Sequence, residues 1–560
     1  MPKQMSLQSG LLGAVLLLVA ACAPSVTPRS IERVVLGLPS DVNGLNPLLT
    51  TDPQSTTASW RIYAAPLGYD PRTGEPSPHL AESWAVSPDN TSITFTMRDN
   101  LTWSDGSPLT VDDMWFTLEA LVRSQSAPRK ATIAGEIVGA QDYADGKTQQ
   151  IAGVSTSGRT LTVQLTGPLC TAATDIGELP ILPRSVFGKY MDPADPSKTI
   201  DDARENNAPP LASGPFRFQE WVPRDHVTLV RNDHFYLGPP KLDEWVYRVI
   251  PNPTAIAAAL KTGEIDVAQL LGRVDDLKAT SSLNVYSIPG TGYTYIAWNE
   301  LRGGKEFFAD KTVRQALAYG LDWNQIIATL AGGEAVRVVA HTPPTSWAYD
   351  PTGLNDYAYN PPKARQLLED DGWKSGPDGI YQKGGQRLAF TLLTHPESPL
   401  RVGIVQVAAE QYRQIGVEVT PQTEAFNAFL QRTISSRDPT YGDQGGRDFD
   451  AYVIGYGQIG PDPDAYLYWH SSELLTGLNR VGYRSVATDR AVERGRASCD
   501  PADRKAAYHQ MDLQLNEDQP VNFGFVTTTQ LVVSKAIQGV EPGPYTFLAQ
   551  WNVEQWSRSH

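Results

Sequence analysis

The sequence predicts an α/β protein with at least two lobes. Three observations carry this. Strand-like and helix-like hydrophobic periods alternate along the chain, glycines stand where helices must stop and short strands begin, and the chain is too long for one core. Ile93, Phe95 and Met97 alternate with polar residues, as do Leu161, Val163 and Leu165, the pattern of half-buried strands. Between these runs, Trp103-Ser104-Asp105-Gly106 supplies turn chemistry, and Thr110 with Asp113 resembles a capping box in which Asp replaces the longer Glu. Thr254 to Lys261 reads as a helix ended by Gly263, with Ile265-Asp266-Val267 as the strand that follows. Asp310 caps a helix carrying Val313, Leu317 and Leu321 on one face, with Gly332-Gly333 as its stop. Asn360-Pro361 starts another, with Ala364, Leu367 and Leu368 inward and Gly372 just past its end. Leu400 to Ile415 is a further helix, ended by Gly416 and followed by Val417-Glu418-Val419. No internal repeat interrupts this order.

The N-terminus reads as an export signal. Lys3 gives a positive start, and Leu11 to Ala21 is an uncharged, mostly apolar run. That run is shorter than the roughly 20 apolar residues a membrane-spanning helix needs. It closes on Val19-Ala20-Ala21-Cys22, which resembles the lipobox of bacterial lipoproteins, where the cysteine is lipidated and becomes the mature N-terminus. A plain secretory signal with a chance cysteine is the alternative. Residues 1–21 are thus expected to be removed, leaving Cys22 to Ser30 as a lipidated linker and a mature chain of 539 residues. No later segment is apolar enough to span a membrane. Only Cys170 and Cys499 remain, too few for a disulfide framework, and we read both as unpaired.

Charge and motifs exclude several classes. The formal charge is −15, and losing Lys3 leaves −16, which argues against nucleic acid or an anionic lipid surface as a general partner. The eight histidines form no H-E-x-x-H pair for zinc, and there is no C-x-x-C and no G-x-S-x-G. Gly146-Lys147-Thr148 ends like a phosphate loop, but Gln141 stands where its first glycine belongs. Gly290-Thr291-Gly292 is a fragment of a dinucleotide loop with Tyr295 in place of the third glycine. Asp462-Pro463-Asp464 reads as a turn rather than an acid/base pair. The expectation is a protein that is not an enzyme and uses no cofactor and no metal.

A series of short segments instead resembles one family, in order. Gly44-Leu45-Asn46-Pro47 opens it, then His79-Leu80-Ala81-Glu82-Ser83-Trp84 and Trp103 to Thr110. Ile181-Leu182-Pro183, Ser213-Gly214-Pro215-Phe216, Arg231 to Tyr236 and Gly263-Glu264-Ile265-Asp266 follow. Asn299, Val313-Arg314-Gln315-Ala316-Leu317, Ala364 to Trp373 and Pro461-Asp462-Pro463 complete the set. Together they resemble the family 5 extracellular solute-binding proteins, the dipeptide- and oligopeptide-binding receptors of ABC importers. Most of these segments also have a purely structural reading as turns and caps.

The resemblance implies a two-lobe periplasmic-binding-protein-like fold, type II and cluster C-like, with an inserted subdomain. Lobe I would take 31–60, 206–291 and 524–560, the insert 61–205, and lobe II 292–523, with chain crossings near 292 and 523. It implies a receptor on the outer side of the cell membrane, held by a lipid anchor, that delivers a small organic ligand to ABC permease subunits without covalent chemistry. Carried over by position, Asp41, Val42 and Asn43 would face the cleft from lobe I. Phe426 would supply an aromatic face from lobe II, although with Phe429 and Leu430 it also makes an i, i+3, i+4 core stripe. Gly455, Tyr456, Gly457, Gln458 and Ile459 would form the strand end that binds peptide backbone. Here the sequence departs from the family. Peptide receptors place an Asp near this strand end for the ligand's α-ammonium, and the ungapped count puts Ile459 there. Either Asp41, Asp462 or Asp464 replaces it, or the ligand presents no free α-amine and is neutral, such as an oligosaccharide. A secreted hydrolase on the same fold is the reading from another class, disfavoured by the missing nucleophile–base constellation.

Overall fold

The computed structural model describes residues 31–560, apart from 51, 272–273, 302–303, 436–446, 457–461, 477, 544, 546–548 and 560. Residues 1–30 with Cys22, and also Gly457, Gln458 and Ile459, lie outside the described residues. Among those described, no helix is long and apolar enough to cross a membrane.

One mixed sheet of 11 strands runs through the protein. Its middle is a pair of long antiparallel strands, Leu283–Trp298 and Val521–Ser534. Leu283 to Pro289 pair with Ser534 to Thr528, the register then shifts between Pro289 and Tyr293, and Tyr293 to Ala297 pair with Val526 to Val521. Gly290-Thr291-Gly292 sits in that irregular stretch, inside a strand, so it is no dinucleotide loop. On one side of the pair, Arg33–Leu38 runs parallel to Val267–Leu271 and to Glu244–Val249. On the other side, Ala389–Thr394 runs parallel to Ala451–Gly455 and to Glu418–Thr423.

Separate apolar clusters form on the two sides of the long pair. Val34, Leu36, Trp245, Tyr247 and Trp556 belong to one, together with Phe95, Leu161 and Phe116 from the segment between them in sequence. Trp298, Leu317, Phe390, Ile404 and Tyr412 form another, and Tyr293, Tyr295, Tyr452, Trp469 and Tyr508 a third. The segment containing Phe95 has its own four-stranded sheet, in which Ser92–Met97 pairs with Thr160–Gln164 and buries Ile93, Phe95 and Met97 as the alternation predicts. Thr110 and Asp113 make the expected reciprocal capping box on the helix Val111–Arg123.

Three expectations need correction. Asp310 does cap a helix, its carboxylate accepting the Thr312 N–H, but the helix is Lys311–Tyr319 and stops at Gly320. A Cβ on Gly320 would lie 2.5 Å from Ile415 Cδ1, so close packing decides the residue there. Asp322 then caps a separate helix, Trp323–Thr329, before Gly332-Gly333. Secondly, the strand expected at Ile265 begins at Val267. The N–H groups of Glu264 and Ile265 fold back onto Ala259 O at 2.9 and 3.3 Å, so they finish the preceding helix. Finally, Cys170 and Cys499 are not free thiols. They form a disulfide across 329 residues, with Cα atoms 5.2 Å apart. Sequence distance carried no information here, because the fold brings both segments together. Cys170 N–H donates to Arg496 O at 2.8 Å, and Asn90 Nδ2 to Ala497 O at 3.0 Å.

Candidate functional site

Parallel strands bring their carboxyl ends to one edge, and in open α/β sheets ligands bind in the crevice outside those ends. Both proposed contact segments leave the sheet at such ends. Asp41, Val42 and Asn43 follow Arg33–Leu38, while Gly455 and Tyr456 close Ala451–Gly455 beside the end of Ala389–Thr394.

At the second strand end the residues form a connected group. Tyr456 donates its N–H to Tyr293 O at 3.0 Å. Its ring stacks on Tyr295 with centroids 4.4 Å apart and meets Tyr293 and Tyr468 edge-on at 5.0 and 4.7 Å. Burial drives its phenol well above the usual value, so the hydroxyl stays neutral. Phe426 and Phe429 divide the stripe that made Phe426 ambiguous. Phe429 is buried against Tyr452, whereas Phe426 is 40% exposed and lies on the ring of His395 at 4.8 Å.

His395, directly after the strand Ala389–Thr394, organises the rest. Its Nε2 contacts Arg401 Nη1 at 2.7 Å and its Nδ1 contacts Glu397 Oε2 at 3.2 Å. A guanidinium can only donate, so Nε2 accepts, and the ring is neutral with its proton on Nδ1. Burial, and then the Arg401 charge, hold the imidazole below its ordinary value, in agreement with that tautomer. Glu397 also accepts the Phe426 N–H at 3.1 Å through Oε1. Gly455 completes the group: a Cβ there would sit 3.0 Å from Arg401 Nη2. Phe426 and Gly455 are therefore gathered around His395, Glu397 and Arg401, none of which stood out in the sequence. The available signal was position, since Thr394-His395-Pro396-Glu397 joins the end of an apolar run to a Pro-started helix.

The other strand end is arranged differently. The Asp41 carboxylate accepts from Val42 N–H at 2.9 Å, Trp221 Nε1 at 3.1 Å and Arg224 N–H at 2.6 Å. The Val42 side chain is buried in the first apolar cluster. Asn43 is exposed and its N–H donates to Ser55 Oγ at 2.8 Å. No described contact joins these residues to Phe426 or Tyr456. The remaining carboxylate candidates are also committed. Asp462 takes Arg504 Nη2 on both oxygens at 2.7 Å, and Asp464 pairs with Arg496 at 2.9 Å. Asp464 N–H also donates to Asp462 Oδ1 at 3.1 Å, so Asp-Pro-Asp is the turn its spacing predicts. A cavity of about 350 Å³ lies elsewhere, lined by Trp60, Tyr63, Tyr69, His79, Tyr236 and Trp551, and includes no residue of either strand end.

Comparison with known proteins agrees with this architecture. The sequence profile of bacterial extracellular solute-binding proteins, family 5 Middle, matches residues 75–474. The chain is 28% identical to the oligopeptide-binding protein AppA of Bacillus subtilis, covering 96% of each chain. It is 24% identical to the probable D,D-dipeptide-binding periplasmic protein DdpA of Escherichia coli, again over 96% of each. The structure of Bacillus subtilis AppA in complex with a nonapeptide matches with a TM-score of 0.76 and 27% identity, covering 94% of this chain and 99% of that one. NikZ of Campylobacter jejuni in complex with Ni(L-His) shares the fold, with a TM-score of 0.76 at 23% identity and the same coverage. The fold is thus the two-lobe periplasmic-binding-protein type. On the profile match, the overall fold and the order of its segments, the chain belongs to the family 5 bacterial extracellular solute-binding proteins.

Proposed function

We propose that the protein is the extracytoplasmic receptor of an ABC importer, which encloses a peptide or similar small organic ligand between two lobes and presents it to the permease. The observation that carries this reading is likeness over 96% of both chains to an oligopeptide-binding protein whose structure holds a nonapeptide. Lobe I takes 31–60, 206–291 and 524–560, the insert 61–205, and lobe II 292–523. The long strands Leu283–Trp298 and Val521–Ser534 are the crossings, and the register shift after Pro289 gives them a natural bending point. The receptor does no covalent chemistry. Ligand favours the closed state because only there does it touch both lobes. Tyr456 and Phe426 supply aromatic faces, with the 455–459 strand end beside them, and Asp41 to Asn43 approach from lobe I. Cys22 anchors the protein by lipid on the outer side of the membrane. Cys22→Ser is expected to move it from the membrane fraction into the soluble one, and a variant that still sediments with membranes would contradict the anchor.

One observation favours a narrower reading of the ligand. Asp462 and Asp464 are paired with arginines, and Asp41 already accepts three hydrogen bonds from neutral N–H groups of the protein, which leaves little room on it for an α-ammonium. A peptide is then held without recognition of its amine, or the ligand is neutral, such as an oligosaccharide. Native mass spectrometry of the purified protein tests the proposal through any retained ligand. Calorimetry with di- to pentapeptides, their N-acetylated forms and oligosaccharides then separates the cases. Equal affinity for acetylated and free peptides is expected. Covalently altered ligand recovered after incubation would point to a hydrolase instead.

A further inference from the structure

The cavity of about 350 Å³ has one wall at the edge of the sheet away from the proposed ligand cleft. Its residue Glu554 accepts the Lys241 N–H on the backbone oxygen at 3.1 Å, and Asp243 N–H donates to Glu32 O at 2.7 Å. These contacts come immediately before the paired starts of Arg33–Leu38 and Glu244–Val249. That wall therefore stands at the amino ends of the parallel strands, whereas Asp41 to Asn43 follow a carboxyl end. The walls are fixed by the protein itself. Arg61 Nη2 donates to Gln550 O at 3.0 Å and to Gln550 Oε1 at 3.2 Å, and Trp551 Nε1 donates to Glu541 O at 2.6 Å. A Cβ on Gly68 would overlap the His79 ring, so a glycine there gives the imidazole its place. Trp60 and Leu237 are exposed, while Tyr63 and Phe235 are buried, so the cavity runs from the surface inward. Its volume suits a small organic molecule, and its aromatic lining offers stacking faces. The charges around it cancel. Glu178 pairs with Arg129 at 3.0 Å, Asp70 pairs with Arg72 at 3.2 Å, and Arg61 lies in the field of the opposite charge on Glu554. Burial, and then the Arg98 charge, hold His79 down at about 4, so its ring is neutral. A neutral imidazole presents one donor and one acceptor, and among the described residues neither has a hydrogen-bond partner. The Tyr63 hydroxyl is also buried without a described partner, and a buried polar group left unpaired is costly.

We propose that this cavity is a second ligand site, separate from the interlobe cleft, for an uncharged flat ring with donor and acceptor groups on its edge, the chemistry of a free nucleobase or a related heterocyclic amide. His79 is the polar contact that orients such a ring between the aromatic walls. The site goes beyond the receptor reading and does not depend on it.

The test uses the intact mature protein labelled with 5-fluorotryptophan, with the Trp60 and Trp551 fluorine resonances identified through Trp60→Phe and Trp551→Phe. Adenine and thymine are expected to shift both resonances saturably, with half-saturation below about 1 mM. Trp221, which donates to Asp41 at the other edge of the sheet, should not shift. Orotate and benzamidine, a flat anion and a flat cation, should bind at least about 10-fold more weakly, and methyl glucoside, which is not flat, should do the same. His79→Leu removes both ring nitrogens and should weaken adenine binding at least about 10-fold. Gly68→Ala displaces the same ring and should act in the same direction, and unchanged resonances of the remaining tryptophans show that either variant is folded. Unshifted Trp60 and Trp551, or a shift at Trp221 in their place, would overturn the site. Equal binding of the ions or the sugar would overturn the ligand class, and unchanged affinity in both variants would overturn the role of His79. The receptor reading stands in each case, because it concerns the cleft between the lobes.

Discussion

At the scale of single residues, exposure separates groups that hold the fold from groups left free at the surface. Phe426 is 40% exposed, whereas Phe429, three residues on, is fully buried. Truncating Phe426 to Ala should therefore change stability by less than about 0.5 kcal/mol, as for surface positions generally. Ligand affinity measured by calorimetry should fall several-fold in the same variant. A large drop in melting temperature with unchanged affinity would return Phe426 to the core. Asp512 is the opposite case. It is 1% exposed, its Oδ1 accepts from the N–H groups of His341 and Thr342, and its Oδ2 is buried without a described partner. Burial, opposed by those hydrogen bonds, pushes its carboxyl up to about 7 from an ordinary 3.8. The folded state thus holds a proton that the unfolded chain releases near pH 4. Stability from this group is complete below that pH and is lost as pH rises through 7. The loss is on the order of 4 kcal/mol at most. The melting temperature of Asp512→Asn should accordingly fall less between pH 5 and 8 than that of wild type, and parallel curves would refute the assignment. The roles proposed for Phe426 and Tyr456 come from the family pattern. Asp512 and Arg401 did not stand out, because a lone Asp or Arg in a helix carries no sign of what its neighbours lack.

At the scale of elements, caps and glycine stops were legible because they are local. Thr110 and Asp113 lie three residues apart and close their own box, and Gly263 adopts the left-handed conformation that ends its helix. Asp113 does more than the local pattern shows. One oxygen accepts Thr110 N–H and the other accepts Arg184 N–H, each at 2.9 Å, so it ties two segments together. Thr110→Ala should cost about 1 kcal/mol, the ordinary value of a lost cap. Asp113→Ala should cost more, because the Arg184 N–H loses its partner as well as the Thr110 N–H. Chemical denaturation measures both, and equal losses would mean the Arg184 bond contributes nothing. The helix expected to run from Asp310 to Gly332 divides in two because Gly320 packs on Ile415 and Asp322 offers a second cap. Periodicity alone could not show this, since Leu321 is buried and continues the apolar pattern across the break.

At the scale of the whole molecule, the disulfide changes what the fold can do. Cys170 belongs to the segment proposed as the insert, and Cys499 to the turn between the helices Val486–Ala497 and Pro501–Asp518 of the proposed lobe II. The same contact carries the Arg496 pairs with Glu136 at 2.8 Å and Asp464 at 2.9 Å. On that proposed division, a covalent tie there would limit how far the lobes can part. The double substitution Cys170→Ser, Cys499→Ser should lower stability by about 2–5 kcal/mol, as removal of a native bridge does. It should also enlarge the radius of gyration of the ligand-free protein in small-angle scattering, with the difference disappearing once ligand closes the cleft. Identical scattering with and without ligand, in both proteins, would contradict hinge closure. A larger ligand-free radius in wild type than in the variant would contradict the tie.

Read alone, the sequence determined the features that depend on residues close together in the chain. The alternating strands, the caps and helix stops are of this kind. So is the ordered set of segments that identifies the family, because its turns and caps recur at fixed local spacings. Tertiary structure decided whatever depends on residues far apart. It joined Cys170 to Cys499, and it bound Asp462 to Arg504 and Asp41 to Trp221, withdrawing carboxylates that looked available. It also set Arg401 against Gly455, 54 positions away, with no acidic partner among the described residues. Charge in a cleft is a sum over every group within a few ångströms, and only the fold determines which groups those are.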